Sequence, residues 1–162
     1  MTTPTDDSAA PAALDDIRAW LGSRPGSRVV LATGCFDLLH AGHLSFLEQA
    51  RQLGDLLVVG VNSDRSVRAL KGPSRPFVGE RERAALVSAL KCVDRVFLYD
   101  EPTADLHIRF LRPQVFATAR ASISAYPSEV AAADEVAAQV HAIDRITSYS
   151  TTGLVDALRA TQ

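Results

Sequence analysis

Hydrophobic positions along this chain follow two alternating rhythms. Short, largely apolar runs at 29–32, 56–61, 93–98 and 115–117 have the length and make-up of strands buried on both faces. Between them, apolar residues recur at helical intervals. Leu14, Ile17, Trp20 and Leu21 predict a leading helix closed by Gly22, and Leu44, Leu47 and Leu53 a second closed by Gly54. Asp64 is placed to cap a third helix through Leu70, and 71–79 reads as a Pro/Gly-rich loop. Further helices are predicted over 81–90, 104–111, 127–140 and 151–160. Residues 1–13 are Thr, Pro, Asp, Ser and Ala without an apolar period, the composition of a flexible arm. Strands separated by helices predict βαβ units, hence an α/β, Rossmann-like, doubly wound parallel sheet forming a single domain over 14–162. Ligands of such sheets sit beyond the carboxyl ends of the strands, which directs attention to the loops after Ala32, Val61, Leu98 and Ala117.

Composition narrows the partners. Seventeen Lys and Arg against nineteen Asp and Glu give a net charge of −2, which offers no basic field for nucleic acid or an anionic membrane. The basic residues are fifteen Arg and two Lys, Lys71 and Lys91. Cys35 and Cys92 are too few and too far apart for a disulfide framework or a zinc knuckle. No run approaches the ~20 apolar residues of a membrane span, and the first residues lack the basic-then-apolar order of a signal peptide. A cytoplasmic protein is expected.

The chemistry concentrates after the first strand, in Gly34-Cys35-Phe36-Asp37-Leu38-Leu39-His40-Ala41-Gly42-His43. Neither G-x-x-x-x-G-K-[ST] nor G-x-G-x-x-G is present, so P-loop and dinucleotide readings fall. Two imidazoles flank a glycine where a helix begins, an arrangement suited to a polyphosphate. A helix N-terminus supplies unsatisfied N–H groups and about half a positive charge. Gly42, with no Cβ, lets an oxyanion approach the backbone, while His40 and His43 can donate hydrogen bonds to a leaving phosphate. A structural metal would need two more ligands, and His107 and His141 stand alone in the sequence, so no metal site is expected.

This string resembles the H-x-G-H signature of the nucleotidyltransferase superfamily of cytidylyltransferases and adenylyltransferases. Val61-Asn62-Ser63-Asp64, Leu70-Lys71-Gly72-Pro73-Ser74-Arg75-Pro76 and the stretch Glu80 to Val96 are similar to the sugar-phosphate adenylyltransferases that make ADP-heptose. Ser150-Thr151-Thr152 is similar to the family's phosphate site at a helix start. The resemblance implies attack by a phosphate oxygen of a phosphorylated sugar on the α-phosphorus of a nucleoside triphosphate, with release of pyrophosphate. It implies Mg2+ carried with the triphosphate, and a homodimer with its interface near 90–96. His40, His43 and Lys71 would be catalytic. Gly34, Cys35, Phe36, Asp37, Gly42, Asn62, Asp64, Arg83, Ser150, Thr151 and Thr152 would lie on the nucleotide, and Arg75 and Arg120 on the sugar phosphate.

Each residue also has a plainer reading. Lys71 and Arg75 can be solvated loop cations, Phe36 core, Cys35 a small hydrophobe, and Asp37 the start of an Asx-turn. Arg83 opposes the helix macrodipole in a first turn, as does Arg81, but only Arg83 falls at the family's distance of eleven residues before Asp94. Where the ADP-heptose branch carries Lys-Gly-Gly-Asp-Tyr, this chain reads Thr118-Ala119-Arg120-Ala121-Ser122. Ala119 cannot replace a glycine at positive φ without strain, so a different turn is expected there. ATP with a heptose 1-phosphate is the favoured substrate pair. CTP with glycerol 3-phosphate, or nucleotide binding without catalysis, are the alternatives.

Overall fold

The computed structural model describes residues 11–144 and Gly153. The arm expected over 1–13 lies outside it as far as residue 10, and the helix expected over 151–160 lies outside it except at Gly153.

Five strands, β1 (Val29–Gly34), β2 (Leu56–Asn62), β3 (Arg95–Tyr99), β4 (Val115–Ala119) and β5 (Gln139–Ile143), form one sheet in the order β3-β2-β1-β4-β5. Every neighbouring pair is parallel, so the doubly wound α/β sheet expected from the pattern is present. Alternate residues of each strand feed opposite layers, as the two-residue strand period requires. Val30, Ala32, Leu57, Val59 and Val61 pack with Leu47 and Ala50 of α2 (Ala41–Arg51) and with Ala84 and Val87 of α4 (Glu80–Ser88). Val29, Leu31, Val58, Phe97 and Phe116 pack on the other face. Their partners there are Ile17 of α1 (Leu14–Gly22), Ile108 of α5 (Asp105–Leu111), and Ala132 and Ala133 of α7 (Pro127–Glu135). Ala12 already donates its N–H to Val96 O at 2.9 Å, tying the chain to the sheet before α1 begins.

Three expectations are corrected. The helix foreseen over 127–140 stops at Glu135, and Gln139–Ile143 is a fifth strand paired with all of β4. Ala137, in the left-handed region at φ 59°, breaks the helical run, and β5 is a half-exposed edge strand whose mixed residues carry no buried-strand signature. A one-turn helix, α6 (Arg120–Ala125), also occupies the segment expected to be loop after the fourth strand. The cap of α3 (Asp64–Lys71) is Ser63, whose Oγ accepts from Ser66 N at 3.1 Å, rather than Asp64.

The connectivity sets where a ligand can enter. The chain runs outward through β1, β2 and β3, then crosses back through α5 to lay β4 on the opposite side of β1. β1 and β4 are thus the strands at which the winding reverses. Their ladder ends at Ala32↔Ala117, although β1 continues to Gly34 and β4 to Ala119. The same two strands stay paired to their ends with their outer neighbours, Gly34↔Val61 and Ala119↔Ile143. The sheet therefore parts at its carboxyl edge between β1 and β4.

Behind that edge, Glu129 of α7 is buried and accepts Ala104 N–H at 2.8 Å. Burial, helped by nearby Asp105, holds its carboxyl above the usual carboxylate range. A folded-state pKa above the unfolded value of ~4.3 means stability that is present at low pH and lost as the pH rises through the folded value. Glu129→Gln keeps an acceptor for Ala104 without the charge. Its stability relative to the parent protein should therefore rise between pH 4 and 7 in urea unfolding, and a difference that does not change with pH would contradict this.

Candidate active site

The loop leaving β1 is bent by two left-handed non-glycine residues, Phe36 (φ 51°) and Leu38 (φ 50°). Such backbone costs on the order of 1 kcal/mol per residue and persists only where surroundings fix it. Here the Phe36 ring is buried in the core, and it meets His43 edge-on with ring centroids 5.4 Å apart. Asp37, 1% exposed, fixes the turn from the other side. Its carboxylate accepts Phe77 N–H at 3.0 and 3.1 Å, Val78 N–H at 3.1 Å and the Arg75 guanidinium at 3.1 Å. The Asp37 side chain thus holds the 72–79 loop against the loop after β1, in place of the simple Asx-turn.

The chain then enters α2 three residues earlier than the apolar spacing predicts, with His40 as its N-cap. Gly42 N–H donates to His40 Nδ1 at 3.1 Å, which leaves the imidazole proton on Nε2. His43, in the first turn, stacks on His40 with centroids 3.8 Å apart and planes at 23°. The two imidazoles are therefore locked side by side at a helix N-terminus, next to the place where β1 and β4 part. Lys71 ends α3 just before Gly72, whose φ of 95° turns the chain sharply. Its ammonium is exposed but near Cys35. Burial pushes the Cys35 thiol pKa up and Lys71 only partly offsets it, so Cys35 is a protonated small residue and not a thiolate.

Arg83 is as deeply buried as Asp37, with its side chain 0% exposed. Its Nε donates to Val78 O at 2.8 Å, Nη1 to Cys35 O, and Nη2 to the Asp64 carboxylate at 2.8 Å. Asp64 N–H in turn donates to Glu80 at 2.7 Å. One guanidinium thereby joins the loop after β1, the start of α3 and the loop before α4. Asn62 closes the same corner, donating to Ser66 Oγ at 3.0 Å and accepting from the Cys35 thiol at 3.7 Å.

The cytidylyltransferase-like family model matches residues 31–155 of this chain. The chain belongs to the cytidylyltransferase-like family. It is a nucleotidyltransferase by family, as the H-x-G-H loop led us to expect. Among curated relatives of this family it is 45% identical over 136 residues to the bifunctional protein HldE of Syntrophotalea carbinolica, matching 82% of this chain and 27% of that protein. It is 58% identical over 90 residues to HldE of Geotalea uraniireducens, matching 56% of this chain and 18% of that one. The chain thus spans about a quarter or less of the length of these relatives. They lie in the branch that its motifs resemble. The solved lipopolysaccharide core biosynthesis protein from Thermoplasma volcanium superposes with a TM-score of 0.60 at 29% identity, covering 74% of this chain and 97% of that one.

Within this cytidylyltransferase-like domain, the expected site residues separate into groups. Gly34, Cys35, Phe36, Asp37, His40, Gly42 and His43 form one continuous wall, with Lys71 close by. The Gly34 Cα is covered by the Phe36 ring, which a Cβ would meet at 3.1 Å. Arg83, Asp64, Asn62 and Arg75 brace that wall from behind. Arg75 also lies over the Phe77 ring at 4.4 Å. Arg120 opens α6 directly after the carboxyl end of β4 and forms a two-point pair with Asp144, both exposed. Ala119 has φ −67°, ordinary extended backbone, so no positive φ is asked of it. Ser150, Thr151 and Thr152 lie outside the described residues. A groove of about 610 Å³ between α3 and α4, lined by Arg65, Arg68 and Arg81 among others, includes none of the histidine-loop residues.

Sequence reasoning missed Glu80, Ser63 and the Phe77 and Val78 amides as parts of this framework. Their partners lie up to 41 residues away in the chain, beyond the reach of any local pattern. Replacing Arg83 by Met should cost about 3 kcal/mol, because two peptide oxygens and the partly exposed Asp64 carboxylate lose their buried donor. Urea unfolding measures it; a loss under ~1 kcal/mol, the scale of a surface ion pair, would contradict the bracing role.

Proposed function

We propose that this domain is an adenylyltransferase that joins ATP to a sugar 1-phosphate, heptose 1-phosphate being the favoured acceptor, to give ADP-heptose and pyrophosphate. The observation that carries the reading is the stacked His40–His43 pair at the α2 N-terminus, beside the parting of β1 and β4. The similarity to HldE proteins over most of the chain supports the heptose branch.

The reaction suits a site of this kind. A non-bridging oxygen of the sugar phosphate forms a bond to the α-phosphorus of ATP. The bond from that phosphorus to the bridging oxygen of the β-phosphate breaks, and its electron pair leaves with pyrophosphate. The nucleophile is already an anion, so no proton has to be removed, and catalysis reduces to positioning and charge stabilisation. His40, with its proton on Nε2, and His43 would donate to phosphate oxygens as charge builds on the leaving group. Lys71 would add a mobile positive charge from the adjoining loop. Gly42 leaves room for the phosphates at the helix N-terminus.

Magnesium fits this scheme as a companion of the nucleotide. Among the described residues no three His, Cys, Asp or Glu side chains come together to hold a metal, and Asp37 is engaged by the 75–78 segment. The triphosphate itself would therefore supply the ligands, and the bound ion would neutralise the β- and γ-oxygens.

Pyrophosphate release, measured with ATP and CTP against a panel of sugar and alcohol phosphates, tests the proposal. ATP with a heptose 1-phosphate should give the highest kcat/KM. Preference for CTP with glycerol 3-phosphate, or nucleotide binding without release, would overturn it. His43→Ala should lower kcat at least ~100-fold with unchanged thermal unfolding, the scale of losing one transition-state donor.

A further inference from the structure

We propose that Asp37 is a positioning residue that fastens the 72–79 loop, and with it Lys71, against the histidine loop. It is thus neither a nucleotide contact nor a metal ligand. The inference rests on the nucleotidyl-transfer reading only for its kinetic consequence; the fastening itself is a property of the protein without substrate.

The geometry leaves Asp37 little else to do. Its side chain is 0% exposed, and its carboxylate takes the Phe77 and Val78 N–H groups and the Arg75 guanidinium, all at 3.0–3.1 Å. Hydrogen bonds to an ionised acceptor are about twice as strong as neutral ones, so three donors on one buried carboxylate make a firm clamp. The clamp reaches Lys71 through a short path. Arg75 N–H donates to Gly72 O at 3.2 Å, closing a turn whose first residue directly follows Lys71. At the far end of the loop, Val78 O is held by Arg83, which also holds Cys35 O. The loop is therefore tied to the 35–37 turn through Arg75, Phe77 and Val78, and His40 lies three residues beyond Asp37.

Lys71 closes the last turn of α3, so a loose 72–79 loop would let that turn fray and carry the ammonium away. Displacement of about 1 Å at a catalytic group can cost ~100-fold in rate. A fixed loop turns Lys71 into a pre-placed charge whose remaining freedom is that of its own side chain.

Asp37→Asn preserves shape but offers one acceptor oxygen and an amide that opposes the loop donors. Two arms test the proposal. Hydrogen exchange in the protein without substrate should show slow amides at Phe77 and Val78 in the parent and in Lys71→Ala, and fast ones in Asp37→Asn. Unchanged protection in Asp37→Asn would overturn the proposal, whatever the protein catalyses. In the pyrophosphate-release assay, Asp37→Asn should lower kcat ~100-fold and leave KM for the triphosphate within about twofold. Added to Lys71→Ala it should cost less than ~3-fold more, because the two act as one unit. Full additivity, or rescue of Asp37→Asn by raised magnesium, would show that Asp37 acts on its own or as a metal ligand. If the parent protein turns over no substrate pair, the adenylyl-transfer reading fails alone and the exchange arm still decides the clamp.

Discussion

A charge taken fully out of water is tolerated only where it is paired and hydrogen-bonded, and each of the three nitrogens of Arg83 has an acceptor. Its guanidinium spans a peptide oxygen after β1, the carboxylate that opens α3 and a peptide oxygen just before α4. None of these segments can shift without leaving a buried polar group alone. The histidine loop, the start of α3 and the loop that follows Lys71 are therefore joined in one corner. Asp37 repeats the device with opposite sign, one buried carboxylate gathering donors from the same loop. The left-handed backbone at Phe36 and Leu38 is affordable because these two charges and the buried Phe36 ring fix it.

The sheet supplies what the corner needs. Reversal of the winding at β1 and β4 parts their carboxyl ends, and α2 starts beside that opening with two stacked imidazoles. Helix N-terminus, histidines and nearby ammonium concentrate positive potential in a protein whose net charge is −2. With fifteen arginines and two lysines, the division of labour is instructive. Arg75, Arg83 and Arg120 are bound to Asp37, Asp64 and Asp144, while Lys71 stands exposed where a mobile charge is useful.

The strands of this fold were legible because parallel strands covered on both faces read as apolar runs, and β5, an exposed edge with polar and apolar residues mixed, hid inside a predicted helix. The histidine loop was legible because its chemistry is local: His40, Gly42 and His43 lie within one helical turn. Braces were not. Arg83 looks in sequence like a cation awaiting an anion, since its penalty at a helix start is visible and its partners Cys35 and Asp64 are 48 and 19 residues away. Asp37 looks like an ordinary turn residue for the same reason. Long-range pairing of buried charges leaves no periodic trace, so the partners of Arg83 and Asp37 cannot be read along the chain.

The triphosphate is proposed to lie at the parting of β1 and β4, on the α2 N-terminus. A crystal structure with a non-hydrolysable ATP analogue and magnesium is the decisive measurement. The triphosphate should then lie within hydrogen-bonding distance of His40, His43 and the Gly42 backbone, with Arg83 unmoved from Cys35 and Asp64. A triphosphate seated instead in the groove between α3 and α4, clear of both imidazoles, would overturn this placement.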